Sequence, residues 1–205
     1  IDTEGNLREV IDAKDNKVMQ YKYDMLGNLV YQKSMDAGQR WLLLNIMGKS
    51  LRTWDERNHE FQYYYDSAHR LTQSKVVGGD GIAALDHIFD RIIYGESLLS
   101  GVRTDANRFN ESTLQNKNIL GQVIQHYDTG GLVNTPAFDF KGKPLSTNRQ
   151  LFKKYKEVSN WIDANLLNDL EPDAGYTFIS ETDALGRITK QIAPDGSVIT
   201  PQYNE

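Results

Sequence analysis

A short turn motif, roughly Asp/Asn-x-x-Gly-polar-x-apolar, recurs along this chain at a nearly constant pitch. Its copies run from Asp2 to Leu7, Asp24 to Leu29 (with Tyr23 in front), Asn45 to Lys49, Asn118 to Val123, Phe140 to Lys143 and Asp183 to Ile188. A further copy, Asp66 to Leu71, carries His69 at the glycine position. Gly5, Gly27 and Gly48 are separated by 22 and 21 residues, and His69 follows 21 later. Gly121 and Gly142 are 21 apart, and Gly186 stands 44 beyond Gly142. A second turn marker trails most copies by 10 or 11 residues: Asn16, Gly38, Asn58, Gly79, Gly131 and Gly196. Two turns per period leave strands of about five or six residues, the usual length.

The residue types at the turns have a physical reason. Glycine, and next best asparagine, adopts the positive φ that tight hairpins demand. An Asp or Asn three residues earlier accepts hydrogen bonds from the amides of its own turn. The positions expected to set the turns are Asp24, Gly27, Gly48, Asp66, Gly121, Asp128, Gly131, Gly142, Asp183, Gly186 and Gly196. Between them apolar residues alternate as strands require: Met19-Tyr21-Tyr23, Phe61-Tyr63-Tyr65, Tyr176-Phe178 and Ile188-Ile192. The expected fold is therefore mainly β, consecutive antiparallel hairpins of about 21 residues per repeat.

Composition narrows the class. With 39% hydrophobic and 25% charged residues in 205, the chain is globular rather than disordered. Its 11 tyrosines, with apolar rings and polar tips, suit thin and partly wetted sheets. A net charge of −5 without a strongly basic stretch argues against nucleic acid as partner. The absence of cysteine excludes disulfides and thiolate metal sites, and fits a cytosolic protein or a bacterial secreted one equally. No apolar run approaches the roughly 20 residues of a membrane span. The chain opens on Ile1-Asp2, unlike a signal peptide, and closes on Tyr203-Asn204, where the next turn glycine falls at position 207. A fragment of a longer repeat is the expectation.

Two stretches interrupt the pitch, giving repeats at 1–77, 118–146 and 173–205. Residues 78–117 open with Gly78-Gly79-Asp80-Gly81, continue as a strand from Asp86 to Tyr94, and then become a polar loop from Ser97 to Lys117 with a short helix near Asn110–Asn116. Residues 147–172 are expected to form a helical insertion. Leu151, Tyr155, Val158, Ile162, Leu166 and Leu170 make an amphipathic stripe, Thr147 with Gln150 a capping box, and Glu171-Pro172 a stop. Ser159-Asn160 could divide it, and its expected role is to cover a sheet face.

Catalytic chemistry finds little support. His59, His69, His87 and His126 lack metal-ligand spacing, the Gly-rich stretch at 78–81 lacks the lysine of a phosphate loop, and no Gly-x-Ser-x-Gly elbow exists. No catalytic residue, metal or cofactor is expected, and the chain reads as a non-enzyme. The alternative to a structural role is a cell-surface or carbohydrate-binding adhesion module using exposed tyrosines and Trp41, Trp54 and Trp161.

The ordered set Tyr23-Asp24-x-x-Gly27-Asn28-Leu29, Trp54 to His59, Ile93 to Glu96, Gly121 to Leu132, Phe138 to Gly142 and Pro194 to Val198 resembles the RHS/YD-repeat family. The likeness is nearest to the shell-forming B and C components of bacterial insecticidal toxin complexes. It implies a spiralling hollow wall of hairpins around a toxic C-terminal segment, in a secreted or cell-surface bacterial protein. The implied partners are the remainder of the shell and the enclosed toxin, with self-association through unpaired sheet edges. Family shells often close with a self-cleaving Asp-Pro-x-x-Gly-type segment; this sequence has no Asp-Pro pair, so the resemblance carries over no protease.

Overall fold

The computed structural model describes residues 1–79, 81–98, 111–162, 166–171 and 175–204. Its strands are β1 (Glu9–Ile11), β2 (Lys17–Tyr23), β3 (Leu29–Ser34), β4 (Gly38–Leu44), β5 (Ser50–Asp55), β6 (His59–Tyr65) and β7 (Leu71–Gly78). They continue as β8 (Leu85–Tyr94), β9 (Val123–Asp128), β10 (Gly131–Asn134), β11 (Ser146–Leu151), β12 (Tyr176–Thr182), β13 (Ile188–Ile192) and β14 (Val198–Ile199). The sheet order follows chain order from β1 to β14, the order that consecutive hairpins produce. The expected strand over 86–94 is β8, and a short helix, α1 (Glu111–Asn116), lies where one was expected. Contacts divide the chain into two units, 1–88 and 89–205.

The first unit is a thin sheet. Antiparallel registers stack Tyr31 on Trp41, Trp41 on Trp54 and Trp54 on Glu60 along one face. The other face sets Leu42 against Thr53, Thr53 against Phe61 and Phe61 against Val76. Cross-strand pairs of this kind, aromatic on aromatic or on a β-branched residue, are the unit of sheet stabilisation. Among the described residues of this unit only Ser74, Val76 and Ile88 are buried. Its stability therefore rests on the backbone ladder and half-covered side-chain pairs, the wetted sheet that the tyrosine content predicts.

The second unit has a packed core. Ile93, Leu114, Ile119, Ile124, Tyr127, Leu132, Phe138, Phe152, Trp161 and Leu170 are all buried. Trp161 and Tyr127, both at 0% exposure, meet at 5.2 Å between ring centroids, and Phe152 lies edge-on to Trp161 at 5.5 Å. The indole Nε1 donates to the Asp128 carbonyl at 3.0 Å, so the buried tryptophan leaves no polar atom unpaired.

The helical insertion expected over 147–172 is not what forms. Residues 146–151 are strand β11, paired with β10 on one side and β12 on the other. Thr147 and Gln150, read as a capping box, both lie in that strand. From Phe152 to Ile162 the chain is an irregular strap, with Ser159 and Asn160 in it, followed by a 3₁₀ turn at Leu166–Asp169. The strap's ends are tied by Phe152 N to Gly130 O, Lys153 N to Asp169 O and Glu171 N to Leu151 O. Leu151, Tyr155, Val158 and Ile162, the supposed buried stripe, are exposed. Residues 163–165 and Pro172 lie outside the described residues. The helical spacing is overridden because β11 supplies backbone pairing to strands on both sides, while Phe152, Trp161 and Leu170 bury their side chains from the strap. Trp161 is thereby excluded as an exposed binding residue.

Truncating Trp161 to alanine should cost about 3–5 kcal/mol, measured by urea unfolding, with the loss confined to the unit that contains it.

Candidate functional site

Among the described residues no three His, Asp or Glu side chains converge to hold a metal ion. The chemistry of the chain is concentrated in its turns. In the turn from Asp24 to Asn28, the Asp24 Oδ1 accepts the amides of Leu26 and Asn28, each at 2.9 Å. The backbone closes the same loop, with Gly27 N donating to Asp24 O and Asp24 N to Asn28 O. Gly27 has φ +81°, the left-handed geometry that completes a three-residue hairpin loop, and the register slips by one residue between Lys22 and Tyr23.

This geometry recurs at Asp2, Asn45, Asp66, Asp139 and Asp183, each accepting two amides through Oδ1. Gly48, Gly142 and Gly186 hold positive φ in them, as does His69 at +56°. The same loop also forms at Asp12 and Asp55 in the alternate turns. There Asp15, not the neighbouring Asn16, takes the positive φ, and Asn58 does so in the other. Spacing alone missed Asp12 and Asp55; the signal was an acidic residue three before the left-handed position.

Three predicted positions differ. At the Asn118 copy both Asn118 and Gly121 have positive φ, but the turn closes from Gln122 N to Ile119 O, and the Asn118 side-chain Nδ2 donates to Phe138 O instead. At Gly196 the turn starts at Ala193 and has no carboxylate at its first position. Asp128 faces Gly131 across a two-residue loop, and its carboxylate grips Arg149 through both guanidinium nitrogens, at 2.8 and 2.7 Å. Burial acts to raise the Asp128 pKa; the Arg149 guanidinium and the Gly130 amide outweigh it and hold the group below the ordinary aspartate range.

The fifth residue of each turn decides what the turn is tied to. Asn28, Arg70 and Arg187 fold back onto Oδ2 of their own aspartate, at 3.0, 2.8 and 2.8 Å, and His59 does the same on Asp55 at 2.9 Å. Lysine reaches outward instead. Lys49 Nζ donates to His69 O at 2.6 Å, and Lys143 Nζ to Gly186 O, in each case the left-handed residue of the adjoining turn. The Asp139 Oδ2 that Lys143 leaves open accepts the Thr182 hydroxyl at 3.1 Å.

A tyrosine supplies a second tether at Tyr65, before Asp66, and at Tyr203, before Asn204. Tyr65 donates its hydroxyl to Ser50 O at 2.7 Å, while Lys49 lies over its ring at 5.8 Å. Tyr203 repeats this with Ile188 O at 3.0 Å and Arg187 at 4.9 Å. Arg8 likewise sits over Tyr23 at 5.6 Å. Cation, carbonyl and ring thus bind one turn to the strand leading into the next. A basic residue 16 before the tyrosine marks the two full copies in the sequence. Of the remaining histidines, His126 Nε2 pairs with Asp90 at 2.5 Å, and His87 leaves a buried Nδ1 without a partner. Trp41 is 40% exposed and paired with Trp54.

Two expectations follow from the turns. A Cβ at Gly27 would meet nothing within 4 Å, whereas at Gly131 it would lie 2.1 Å from Gln150 O. Gly27→Ala should therefore cost about 1–2 kcal/mol, from left-handed strain alone, and Gly131→Ala distinctly more, compared by thermal unfolding. The second concerns acid. Hydrogen bonds from Asn28 lower the Asp24 pKa, those from Asn16 lower that of Asp12, and those from Arg187 lower that of Asp183. The unfolded chain therefore binds more protons as pH falls, and stability present at neutral pH is lost below about pH 4. Asp24→Asn, which keeps the acceptor as Asn45 does, should weaken that acid dependence in a pH series of unfolding midpoints.

No family model matches the chain. In sequence it is similar to Toxin subunit YenC2 of Yersinia entomophaga, 26% identical over an alignment 221 positions long that covers 96% of this chain and 21% of that protein. In structure it matches the Tc holotoxin pore of Photorhabdus luminescens with a TM-score of 0.81 and 26% identity, over 98% of this chain and 9% of that one. The TcdB2–TccC3–Cdc42 complex matches with a TM-score of 0.78 and 25% identity, over 96% of this chain and again 9% of that one. The chain thus spans about a fifth of the curated relative and less than a tenth of these solved chains. The resemblance to RHS/YD-repeat proteins of bacterial toxin complexes, read first from the Tyr-Asp turns, extends through both sequence and fold.

Proposed function

We propose that this chain is a wall segment of an RHS-type shell that encloses and helps deliver a toxic C-terminal polypeptide. The observation that carries the reading is the tethered hairpin. Most hairpin turns close on themselves, and Lys49, Lys143, Tyr65 and Tyr203 bind adjoining turns together, so units add in series without needing a thick core. Such a wall can be thin and still hold its shape, because the ladder and the tethers supply what buried apolar volume supplies elsewhere. The similarity to toxin-complex subunits supports the same role.

On this reading the segment has no catalytic residue. Its partners are the rest of the shell, joined through the free edges of β1 and β14, and the enclosed polypeptide. The parent protein is secreted by or displayed on a bacterium, and no described helix is long and apolar enough to cross a membrane. The turn positions, Asp24, Gly27, Gly48, Asp66, Gly121, Asp128, Gly131, Gly142, Asp183, Gly186 and Gly196, serve as the joints of the wall. The adhesion alternative loses one of its three tryptophans to the core and keeps the Trp41–Trp54 pair with the exposed Tyr64, Tyr155, Tyr176 and Tyr203.

Electron cryo-microscopy of the native polypeptide that carries this segment, with limited proteolysis of the same preparation, tests the proposal. A hollow particle with a protease-resistant segment inside is expected; an open or solid particle whose every segment is cut at one rate contradicts it.

A further inference from the structure

In the first unit the ties made by Lys49 and Tyr65 lie at one end of the strands. The opposite end carries ties of its own, made by different chemistry. Glu56, in the turn joining β5 to β6, reaches back to the turn joining β3 to β4, where its Oε2 accepts the Gln39 amide at 2.9 Å. Gly38, at φ +72°, makes room for it, since a Cβ there would collide with that same oxygen. On the other side of the β5–β6 turn, Asn58 O accepts the Gly79 amide at 2.8 Å, and a Cβ at Gly78 would collide with the Asn58 oxygen. The β3–β4 turn, the β5–β6 turn and the start of the β7–β8 connection are therefore strung together at this end. The earlier turns are different. The loops at Asp2, Asp12 and Asp24 close on their own residues, and among the described residues no side-chain hydrogen bond joins one of them to another. Arg8 over the Tyr23 ring is a weaker contact at an exposed site than an amide bonded to a carboxylate.

We infer that Glu56 is a latch that couples the β3–β4 hairpin to the strands after it, so that β3 to β7 open as one cooperative block while β1 and β2 open ahead of it. The ties alternate from end to end: Glu56 joins the second turn of the block to its predecessor at one end, and Lys49 and Tyr65 join the intervening turns at the other. To detach a hairpin inside the block, the chain must break a bond to a turn two strands away as well as its own ladder. At the loops of Asp2, Asp12 and Asp24 only the ladder and the loop itself resist. Few side chains are buried in this unit to spread cooperativity through a core, so its opening energies divide where the ties do. Glu56 is free for this task because Asp55 already closes the shared turn, accepting the amides of Arg57 and His59. The inference stands on these bonds and not on the shell reading.

Native-state hydrogen exchange of the full chain, followed amide by amide, is the test. In the wild type the ladder amides of β3 to β7 should exchange through one shared opening, and those pairing β1 with β2 should exchange faster. Glu56→Ala should speed the amides that pair β3 with β4 by about tenfold or more, and leave those pairing β6 with β7 at the wild-type rate. Glu56→Gln keeps an acceptor oxygen at the same place and should recover part of that protection. Glu56 lies on an exposed turn, so both variants should fold. Equal protection from β1 to β7 in the wild type overturns the inference, as does unchanged β3–β4 exchange in the alanine variant. A uniform acceleration of every strand in that variant, or a glutamine variant no better protected than the alanine one, overturns it too.

Discussion

The side-chain oxygen that closes a hairpin turn on itself, at Asp2, Asp12, Asp24, Asn45, Asp55, Asp66, Asp139 and Asp183, is the interaction on which the rest depends. One aspartate oxygen takes two backbone amides, a left-handed residue completes the loop, and the chain leaves in register for the return strand. Without that closure a strand of six or seven residues would have no fixed partner, and a one-residue slip would turn each side chain to the other face. Asparagine serves at Asn45, which shows that the acceptor matters more than the charge. What the charge adds is a handle for the fifth residue, an Asn, Arg or His that folds back and locks the loop. Where that residue is lysine the handle passes to the next turn, and a local device becomes one that joins units.

Two ways of stabilising a sheet stand side by side in this molecule. The first unit, with few buried residues, relies on ladders and half-covered aromatic pairs. The second places a strap across its sheet, and Trp161 fixes that strap by its ring on Tyr127 and Phe152 and by its indole nitrogen on Asp128 O. Asp128 joins both arrangements. It is a turn residue by position, yet its carboxylate is spent on Arg149 of β11 and its carbonyl on the strap.

Much of this was legible in the sequence because the turn motif is local. Gly27, Gly48, Gly142 and Gly186 announce themselves through chemistry that acts within five residues, and their spacing gives the strand lengths. What escaped depends on distant partners. The stripe from Leu151 to Leu170 has helical spacing, but Ser146–Leu151 lies between two strands that need its amides and carbonyls, and no local pattern records that demand. Trp161 reads equally well as a surface aromatic or a core one until Tyr127 and Phe152 are brought beside it. The tethers at Tyr65 and Tyr203 lie between these extremes: tyrosine before Asp66 or Asn204 is plain, but its carbonyl partner becomes visible only once the strands are in register. Asp15 in place of Asn16 is a one-residue error of the kind that spacing permits and backbone geometry corrects.

Cross-strand nuclear Overhauser effects in the isolated chain test the central claim most directly. The account predicts backbone contacts linking Tyr31 to Trp41, Trp41 to Trp54, and Ser180 to Gln191, with residues 146–151 joined to both Gly131–Asn134 and Tyr176–Ile179. Sequential amide–amide contacts running through 147–162, or the absence of those strand-to-strand pairs, would contradict it.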